Sequence, residues 1–385
     1  MQALPMVREM ASDDSCVVTN EMPRQRPRSK RQSAQRSPRR TLVWSLVLFA
    51  CLQCLINVAM DRWEPALRDP EYASKLEILR ARLAEDMERP LLLVLGSSRV
   101  GEGFQPGVMR LREVNGPKAP LVFNFALVGS GPVMELVCLK RLLGAGIRPD
   151  RLLIEILCPV LHQQMAWSEF SWIDMRHLSL EDALVARRYS AHPGSLLWKW
   201  LGFRVAPCWS HRYYIISRLA PSWIPFGTRR AGFDRFDPEG WQPNPRDRVT
   251  AEQRAWGTWL ALQQYKAALD HFQISPAPDR ALHDLLDFCR REQLPVQLLL
   301  MPEGSEFHAA YGAEGLRIID SYLRSLAEEY GIEVLDTRRW MPDSAFADNH
   351  HLLPAGAAAF SERFGREKLG PPGEGRKAAK SLAAD

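Results

Sequence analysis

Two features are missing from this 385-residue sequence, and each absence excludes a class of protein. The folded part has no excess of either charge. Residues 1–40 hold nine of the 50 Lys and Arg residues and four of the 45 Asp and Glu residues, so the remainder has 41 of each sign. Nucleic-acid binding by the folded part is therefore not expected, because it would need a basic face. The four cysteines beyond residue 60 show no metal-type spacing. Neither a metal nor another cofactor is expected.

Charge is also absent from one long segment near the N-terminus. Residues 41–60 read TLVWSLVLFACLQCLINVAM, twenty uncharged residues, which as a helix can span a hydrocarbon core of about 30 Å. Trp44 and Trp63 lie near its two ends, where aromatic side chains favour the membrane interface. A transmembrane helix is therefore predicted at 41–60. A buried core helix and a cleaved signal peptide are the alternatives.

The segment before this helix is basic. Residues 1–40 end in a stretch rich in Arg, Pro, Ser and Gln without an apolar period, which predicts a disordered arm. By the positive-inside rule the arm stays in the cytoplasm, and residues 61–385 lie outside it on a single-pass cell-membrane anchor. Disulfides are allowed there, and buried free thiols are the alternative. Four cysteines belong to this outer part, at positions 138, 158, 208 and 289.

Apolar runs alternate with amphipathic segments in the rest of the chain. Residues 61–89 are predicted to form an amphipathic helix that acts as a stalk or packs on the domain. Strands are predicted at 91–95, 121–125, 151–157, 295–301 and 331–335. Helices are predicted between and after them at 133–143, 281–291, 316–330 and 355–364. The alternation predicts an α/β domain over residues 90–369, with a doubly wound, parallel, five-stranded sheet. A disordered tail is expected at 370–385.

More than 120 residues separate the third and fourth predicted strands, at about 159–279. A simple crossover needs only a dozen or so residues and its helix, so a large, mostly helical cap or insertion is predicted. This insertion holds nine of the twelve tryptophans. They either form its own core or line a site for a glycan or lipid-like substrate.

A serine follows the first predicted strand directly. Residues 91–99 read LLLVLGSSR, so the apolar run stops at Gly96 and Ser98 lies at the carboxyl end of the sheet. Ligands bind at that edge in open α/β folds, and a serine hydroxyl becomes a nucleophile when a base takes its proton. The alternative is that Ser97 and Ser98 only cap the next segment.

An Asp-x-x-His pattern occurs near the C-terminus. Residues 348–360 read DNHHLLPAGAAAF, and Asp348 lies 250 residues after Ser98. An aspartate that orients a histidine base, together with a serine nucleophile, makes a hydrolytic triad. An acidic loop that caps the last helix is the alternative.

Together the two motifs resemble the SGNH/GDSL hydrolase superfamily. In that family a Gly-x-Ser turn follows the first strand, and an Asp-x-x-His near the end runs into Leu and then a Gly of the last helix. The resemblance implies that Ser98 is the nucleophile, His351 the base and Asp348 the orienting acid. The spacing to the following glycine selects His351 over His350. Ser97 replaces the family's usual aspartate.

The resemblance also implies an oxyanion hole. Its donors would be the backbone amides of Ser98 and Gly129, because residues 124–129, NFALVG, resemble the family block in which Asn precedes that glycine by five residues. The family's third donor is an asparagine after the third strand, and this chain has no Gly-x-Asn-Asp there. Neither His162 nor Gln163 is a clear substitute.

Two charged residues near these motifs are weaker candidates for substrate binding. Arg99 follows Ser98 and could bind an anionic group or pair with an acid. Glu303, at the end of the fourth predicted strand, could hold Arg99, touch the substrate or face solvent.

The resemblance therefore implies a membrane-anchored, extracytoplasmic serine esterase or O-acyltransferase. The chain is similar in type to bacterial envelope proteins that add or remove O-acyl groups on surface polymers. The expected substrate is an acyl ester of a cell-envelope glycan or lipid. The expected partners are the bilayer, through residues 41–60, and a membrane acyltransferase. The alternative is a non-catalytic scaffold of envelope polysaccharide assembly, which the missing third donor favours.

Overall fold

The computed structural model describes residues 38–162, 169–224 and 236–370. The chain divides into two compact units, residues 1–48 and 49–385. Helix α1, Pro38–Arg62, is long and apolar enough to cross a membrane, with a mean hydropathy of 2.2 over an 18-residue window. Only 6% of that window is buried in the protein. The predicted arm and tail lie almost entirely outside the described residues.

Helices dominate the described part of the chain. Many of them begin with proline at the first position, where the missing N–H costs no hydrogen bond. The remaining helices are α2 (Pro65–Arg68), α3 (Pro70–Glu85), α4 (Ser98–Gly103), α5 (Leu111–Asn115), α6 (Pro132–Gly144), α7 (Leu180–Ala186), α8 (Pro193–Val205), α9 (Pro207–Ser210), α10 (Arg212–Leu219), α11 (Ala251–Asp270), α12 (Pro276–Arg291), α13 (Ser305–Ala309), α14 (Gly312–Tyr330) and α15 (Pro354–Lys368).

A five-stranded, all-parallel sheet confirms the predicted α/β architecture. Its strands are β1 (Leu91–Leu95), β2 (Leu121–Asn124), β3 (Arg151–Glu155), β4 (Val296–Leu300) and β5 (Glu333–Asp336). They are arranged in the order β2-β1-β3-β4-β5. Val94 of β1 is in register with Asn124 of β2 and Leu153 of β3. The chain therefore reverses its direction of winding at β1, and such switch points open a crevice at the carboxyl edge of a parallel sheet.

Apolar side chains cover both faces of the sheet. In β1, Leu91, Leu93 and Leu95 belong to one buried cluster, and Leu92 and Val94 belong to the other. The first cluster includes side chains of α6, α12 and α14, and the second includes those of α4, α5 and α15. The unbroken apolar run of β1 is therefore the pattern of a strand covered by helices on both sides.

The segment predicted as a stalk or a packed helix, residues 61–89, packs on the domain. It breaks at Asp69, whose carboxylate accepts a hydrogen bond from the first turn of α3. On α3, Leu79 is fully buried in the first core cluster. Lys75 is also buried, and its ammonium group donates to the Asn124 carbonyl at 3.1 Å. Helix α3 is thus part of the fold.

The insertion between β3 and β4 is helical, with α7 to α11 lying within the predicted 159–279. Helix α12 begins at Pro276, five residues before the predicted start at 281, since prolines fit its first turn. Trp167 lies outside the described residues, Trp241 is buried and Trp200 is half-buried. Six tryptophans of the insertion are exposed, namely Trp172, Trp198, Trp209, Trp223, Trp256 and Trp259. Most tryptophans of the insertion therefore do not belong to a buried core of the insertion.

Truncation of Leu79 tests whether α3 belongs to the domain. We expect Leu79→Ala in the full chain to lower the free energy of unfolding by about 2–5 kcal/mol, because it removes buried methyl groups. Glu77→Ala, on the exposed face of the same helix, should change it by less than about 0.5 kcal/mol. Urea unfolding followed by tryptophan fluorescence measures both. Equal effects would mean that α3 is a free stalk.

Candidate active site

The turn after β1 fixes the position of Ser98. Gly96 is required there, because a Cβ at this position would lie 2.7 Å from both Glu155 Oε2 and Val100 Cγ2. The chain then enters α4, whose first residue is Ser98. The Ser98 side chain is therefore held at the carboxyl edge of the sheet, at the switch point.

The two adjacent serines have different surroundings. Ser97 is buried, and its Oγ accepts a hydrogen bond from the Arg99 amide at 3.2 Å, so Ser97 caps α4. Its own N–H and hydroxyl donate to Glu155 Oε2 at 2.7 and 2.8 Å. Capping thus falls to Ser97, and the neighbouring Ser98 hydroxyl points to a different partner.

That partner is His351. Ser98 Oγ lies 3.0 Å from His351 Nε2, and His351 Nδ1 lies 2.9 Å from Asp348 Oδ2. The other carboxylate oxygen of Asp348 accepts the backbone amides of His350 at 3.0 Å and His351 at 2.6 Å. The His351 and Asp348 side chains retain 22% and 21% exposure, so the three groups lie at the surface of a crevice. This is the geometry of a nucleophile, its base and an orienting acid.

The neighbouring histidine points elsewhere. His350 is 2% exposed, its Nε2 lies 3.0 Å from the Tyr265 hydroxyl, and its ring packs against Phe307. Burial, together with the nearby His351 and Arg99, lowers the pKa of His350 well below its ordinary value. His350 therefore stays neutral inside the domain, and His351 is the histidine brought to Ser98.

The charged groups around His351 favour its protonated form. Burial lowers the pKa of His351, but the hydrogen bond and charge of Asp348 and the nearby Glu102 outweigh it, so the net pKa is raised. Burial raises the pKa of Asp348, yet its hydrogen bonds and the His351 charge lower it overall. Asp348 thus remains an anion that fixes the His351 tautomer and stabilises the imidazolium.

The insertion supports the site directly, which the sequence did not indicate. Gly257 of α11 packs on the triad acid, since a Cβ there would lie 2.9 Å from Asp348 Cβ. The Asn244 amide donates to Glu102 Oε2 at 2.6 Å, and the Trp241 indole donates to the Glu102 carbonyl at 2.7 Å. The insertion therefore contacts both the loop that carries Asp348 and α4, which carries Ser98.

The donors predicted for an oxyanion lie at the same edge of the sheet. The Ser98 amide occupies the first position of α4, where an N–H has no partner within the helix. Gly129 adopts a positive φ of 75° in the loop after β2. A Cβ at Gly129 would lie 2.6 Å from Trp172 Cβ, so the glycine allows the insertion to approach closely. A donor role for Gly129 stays a prediction.

Asn124 and His162 have structural surroundings. The Asn124 amide donates to the Val100 carbonyl at 2.8 Å and to the Phe104 carbonyl at 2.7 Å, so it holds α4 in place. His162 is fully buried, and its Nδ1 accepts the Gln273 amide at 3.3 Å. A ring without exposed surface cannot contact a substrate. Gln163 lies outside the described residues.

Arg99 and Glu303, the candidates for substrate binding, are buried at 2% and 4% exposure. Arg99 Nη1 lies 3.4 Å from Glu303 Oε1, and Nη2 donates to the Met301 and Pro302 carbonyls at 2.9 and 2.8 Å. Of the alternatives, the pairing of Arg99 with an acid is therefore the one that is observed. A substrate-binding role does not fit, because neither side chain reaches the surface.

The cysteines and a cavity in the described part of the chain lie outside the group formed by Ser98, His351 and Asp348. The six cysteines in the described ranges are unpaired, and the same residues contain no group of side chains suited to hold a metal. A cavity of about 430 Å³ lies apart from the triad, beside the end of α1, with Arg68 and Arg141 in its wall.

Comparison with known proteins does not assign a function to this chain. No family model matches the chain, and no curated protein matches it. The functional argument therefore rests on the geometry of the residues described above.

The pKa of His351 tests the electrostatic arrangement. We expect it to lie above about 6.5, the ordinary value for histidine. Asp348→Asn should lower it, because the hydrogen bond and charge that raise it are lost while burial remains. The full chain with ¹³C-labelled histidine, titrated by NMR, gives the measurement, and His351→Gln assigns the signal. Glu314→Gln, on an exposed carboxylate of α14, serves as the control. An unchanged pKa in Asp348→Asn would contradict the arrangement.

Proposed function

We propose that this protein is a membrane-anchored, extracytoplasmic serine esterase or O-acyltransferase of the SGNH/GDSL type. The observation that carries the proposal is the continuous chain of contacts from Ser98 Oγ to His351 Nε2 at 3.0 Å, and from His351 Nδ1 to Asp348 Oδ2 at 2.9 Å. The order β2-β1-β3-β4-β5 supports it further, because Ser98 then follows β1, the strand at which the direction of winding reverses.

The reaction begins when neutral His351 accepts the Ser98 proton as Oγ attacks the carbonyl carbon of an acyl ester. The negative charge that develops on the carbonyl oxygen is stabilised by backbone N–H donors, with Ser98 and Gly129 as the candidates. His351 then gives its proton to the leaving alcohol as the C–O bond breaks, which leaves the acyl group on Ser98. Water or a second alcohol attacks this acyl-enzyme, with His351 again as the base, and the Ser98 hydroxyl is regenerated.

The membrane anchor narrows the class of substrate. Helix α1 and the basic arm before it favour an N-terminus in the cytoplasm and a catalytic domain outside it. An acyl ester on a cell-envelope glycan or lipid is the substrate class available to such a domain. A membrane acyltransferase that supplies acyl groups would be its natural partner if the reaction is transfer.

A second candidate function is a non-catalytic scaffold of envelope polysaccharide assembly. The region after β3 favours it, because Glu155 is followed by Ile-Leu-Cys-Pro instead of an asparagine donor. The buried His162 does not replace that donor. A folded protein whose Ser98 is inert towards an activated phosphonate would support the scaffold.

The nucleophile is tested by covalent labelling with a fluorophosphonate probe and by turnover of a short acyl ester. Ser98→Ala should abolish both. Ser97→Ala should retain labelling, although loss of the helix cap should reduce the free energy of unfolding by about 1 kcal/mol. His351→Ala should lower turnover to within about tenfold of Ser98→Ala, because the residues act as a unit.

His350→Gln is the matched control for the base, and it should keep most of the activity. If His350→Gln were inactive and His351→Ala active, the base would be the other histidine. If neither change mattered in a folded, probe-reactive protein, the hydrolase proposal would be wrong.

The orientation is tested with a reporter enzyme that is active only outside the cytoplasm. Fused after Asp385, it should be active, because the basic arm holds the N-terminus of α1 inside. The same reporter fused before Met1 is the control and should be inactive. A well-expressed C-terminal fusion without activity would reverse the assigned topology.

A further inference from the structure

One stretch of the insertion, residues 190–224, exposes seven large apolar side chains. It contains α8, α9, α10 and the 3₁₀ turn Pro221–Trp223. Its outward large apolar side chains are between 41% and 81% exposed, and they are Trp198, Leu201, Val205, Trp209, Tyr213, Leu219 and Trp223. On α8 the first three share one helical face, at spacings of three and four residues. We call this set the aromatic surface.

The charge of the same stretch is of one sign. Residues 190–224 contain four Lys or Arg residues and neither Asp nor Glu, although the chain beyond the arm is neutral as a whole. The guanidinium of Arg212 lies over the Trp209 ring at 4.2 Å and over the Tyr213 ring at 4.5 Å. Tryptophan and tyrosine beside basic groups are the composition that favours the headgroup region of a bilayer.

The aromatic surface is attached to the end of α1. The Asn57 amide of α1 donates to the Arg204 carbonyl, near the end of α8, at 2.7 Å. Arg204 Nη1 in turn pairs with Asp61 Oδ2 at 2.8 Å. Both contacts lie within the unit of residues 49–385. The end of α8 is therefore fixed at a known position along α1.

That position corresponds to the membrane interface. Asn57 precedes Met60, the last residue of the uncharged stretch, by three residues, or about 4.5 Å along a helix. The interfacial layer on each side of a bilayer is about 5–7 Å thick. Asp61, the second partner of Arg204, follows the uncharged stretch directly. The two attachments therefore lie on either side of the end of that stretch, which places the end of α8 at the boundary between the hydrocarbon core and the headgroups.

We propose that the aromatic surface lies in the outer headgroup layer of the bilayer that α1 enters, with lipid as its occupant. This inference rests on the membrane anchorage in the proposed function and adds a second contact with the membrane. The attachment to α1, the interfacial side chains and the absence of acidic residues all favour lipid over a protein partner. With α1 and the aromatic surface both in contact with the membrane, the domain cannot rotate freely about α1. The triad is therefore held in a fixed orientation towards the membrane surface.

The test uses the full chain in nanodiscs of zwitterionic and anionic phospholipid. Cys16, Cys51, Cys54 and Cys208 are replaced by Ser, and the buried thiols stay. An environment-sensitive NBD label is then attached to Trp209→Cys or Trp223→Cys. Ser325→Cys is the control, because it is exposed on α14, which packs beside β5 at the edge of the sheet opposite β2.

We expect labels at 209 and 223 to emit at shorter wavelength than the label at 325, and to be quenched by lipids that carry a spin label near the headgroup. Labels at 209 and 223 as water-exposed as that at 325 would overturn the inference. So would shielding that appears only when another protein is added to the nanodiscs.

Reactivity of Ser98 with a fluorophosphonate, measured in the same samples, separates the two proposals. Reactive Ser98 with water-exposed labels would reject the aromatic surface alone. Lipid-shielded labels with inert Ser98 would support the surface and reject the esterase. Thermal unfolding of each variant should match that of the parent, since the labelled positions are exposed.

Discussion

The buried guanidinium of Arg99 connects the elements on which the candidate site depends. It lies directly after Ser98, pairs with Glu303 beyond β4, and lies 3.9 Å from Glu155 at the end of β3. A buried charge is tolerated only when it is paired and hydrogen-bonded, so the position of α4 is restricted to one that satisfies all these partners. Glu155 also holds Ser97. The turn that carries Ser98, β3 and the end of β4 are therefore joined by a single polar network.

Two adjacent histidines show how surroundings assign chemistry to identical side chains. His350 is enclosed by Tyr265 and Phe307, where burial disfavours its charged form. His351 is also desolvated, but the Asp348 carboxylate more than compensates and raises its pKa. The Asp348 carboxylate binds the backbone amides of both residues, so one side chain sets the loop conformation as well as the charge of the base. His351 is partly accessible, and its charged form is stabilised. Of the two histidines, it is therefore the one that can exchange a proton with the Ser98 hydroxyl.

The insertion has two roles in this architecture. Its longest helix, α11, packs Gly257 against Asp348, so the insertion supports this residue of the candidate site from outside the sheet. Its earlier helices reach α1 through Arg204, which binds both Asn57 and Asp61. The same segment of chain thus links the candidate site to the end of the apolar helix.

The sequence by itself determined the local elements. Five consecutive apolar residues between Pro90 and Gly96 predicted β1 at its observed bounds, because a strand buried on both faces has no polar position. The other strands and the helices α6, α12, α14 and α15 were predicted within a few residues, with the largest difference at Pro276. The short helices α4, α5 and α13 were not predicted. Ser98, Asp348 and His351 were also identifiable, since each belongs to a short motif with its own spacing.

Only the tertiary structure decided which distant groups meet. Arg99 and Glu303 are 204 residues apart, and their pairing depends on β1 and β4 ending at the same edge of one sheet. The contact of Gly257 with Asp348 and the attachment of Arg204 to Asn57 depend likewise on how helices of the insertion pack. Local sequence patterns report which face of an element is buried. They carry no information about which element covers that face, because that is set by the strand order and by packing across the whole domain.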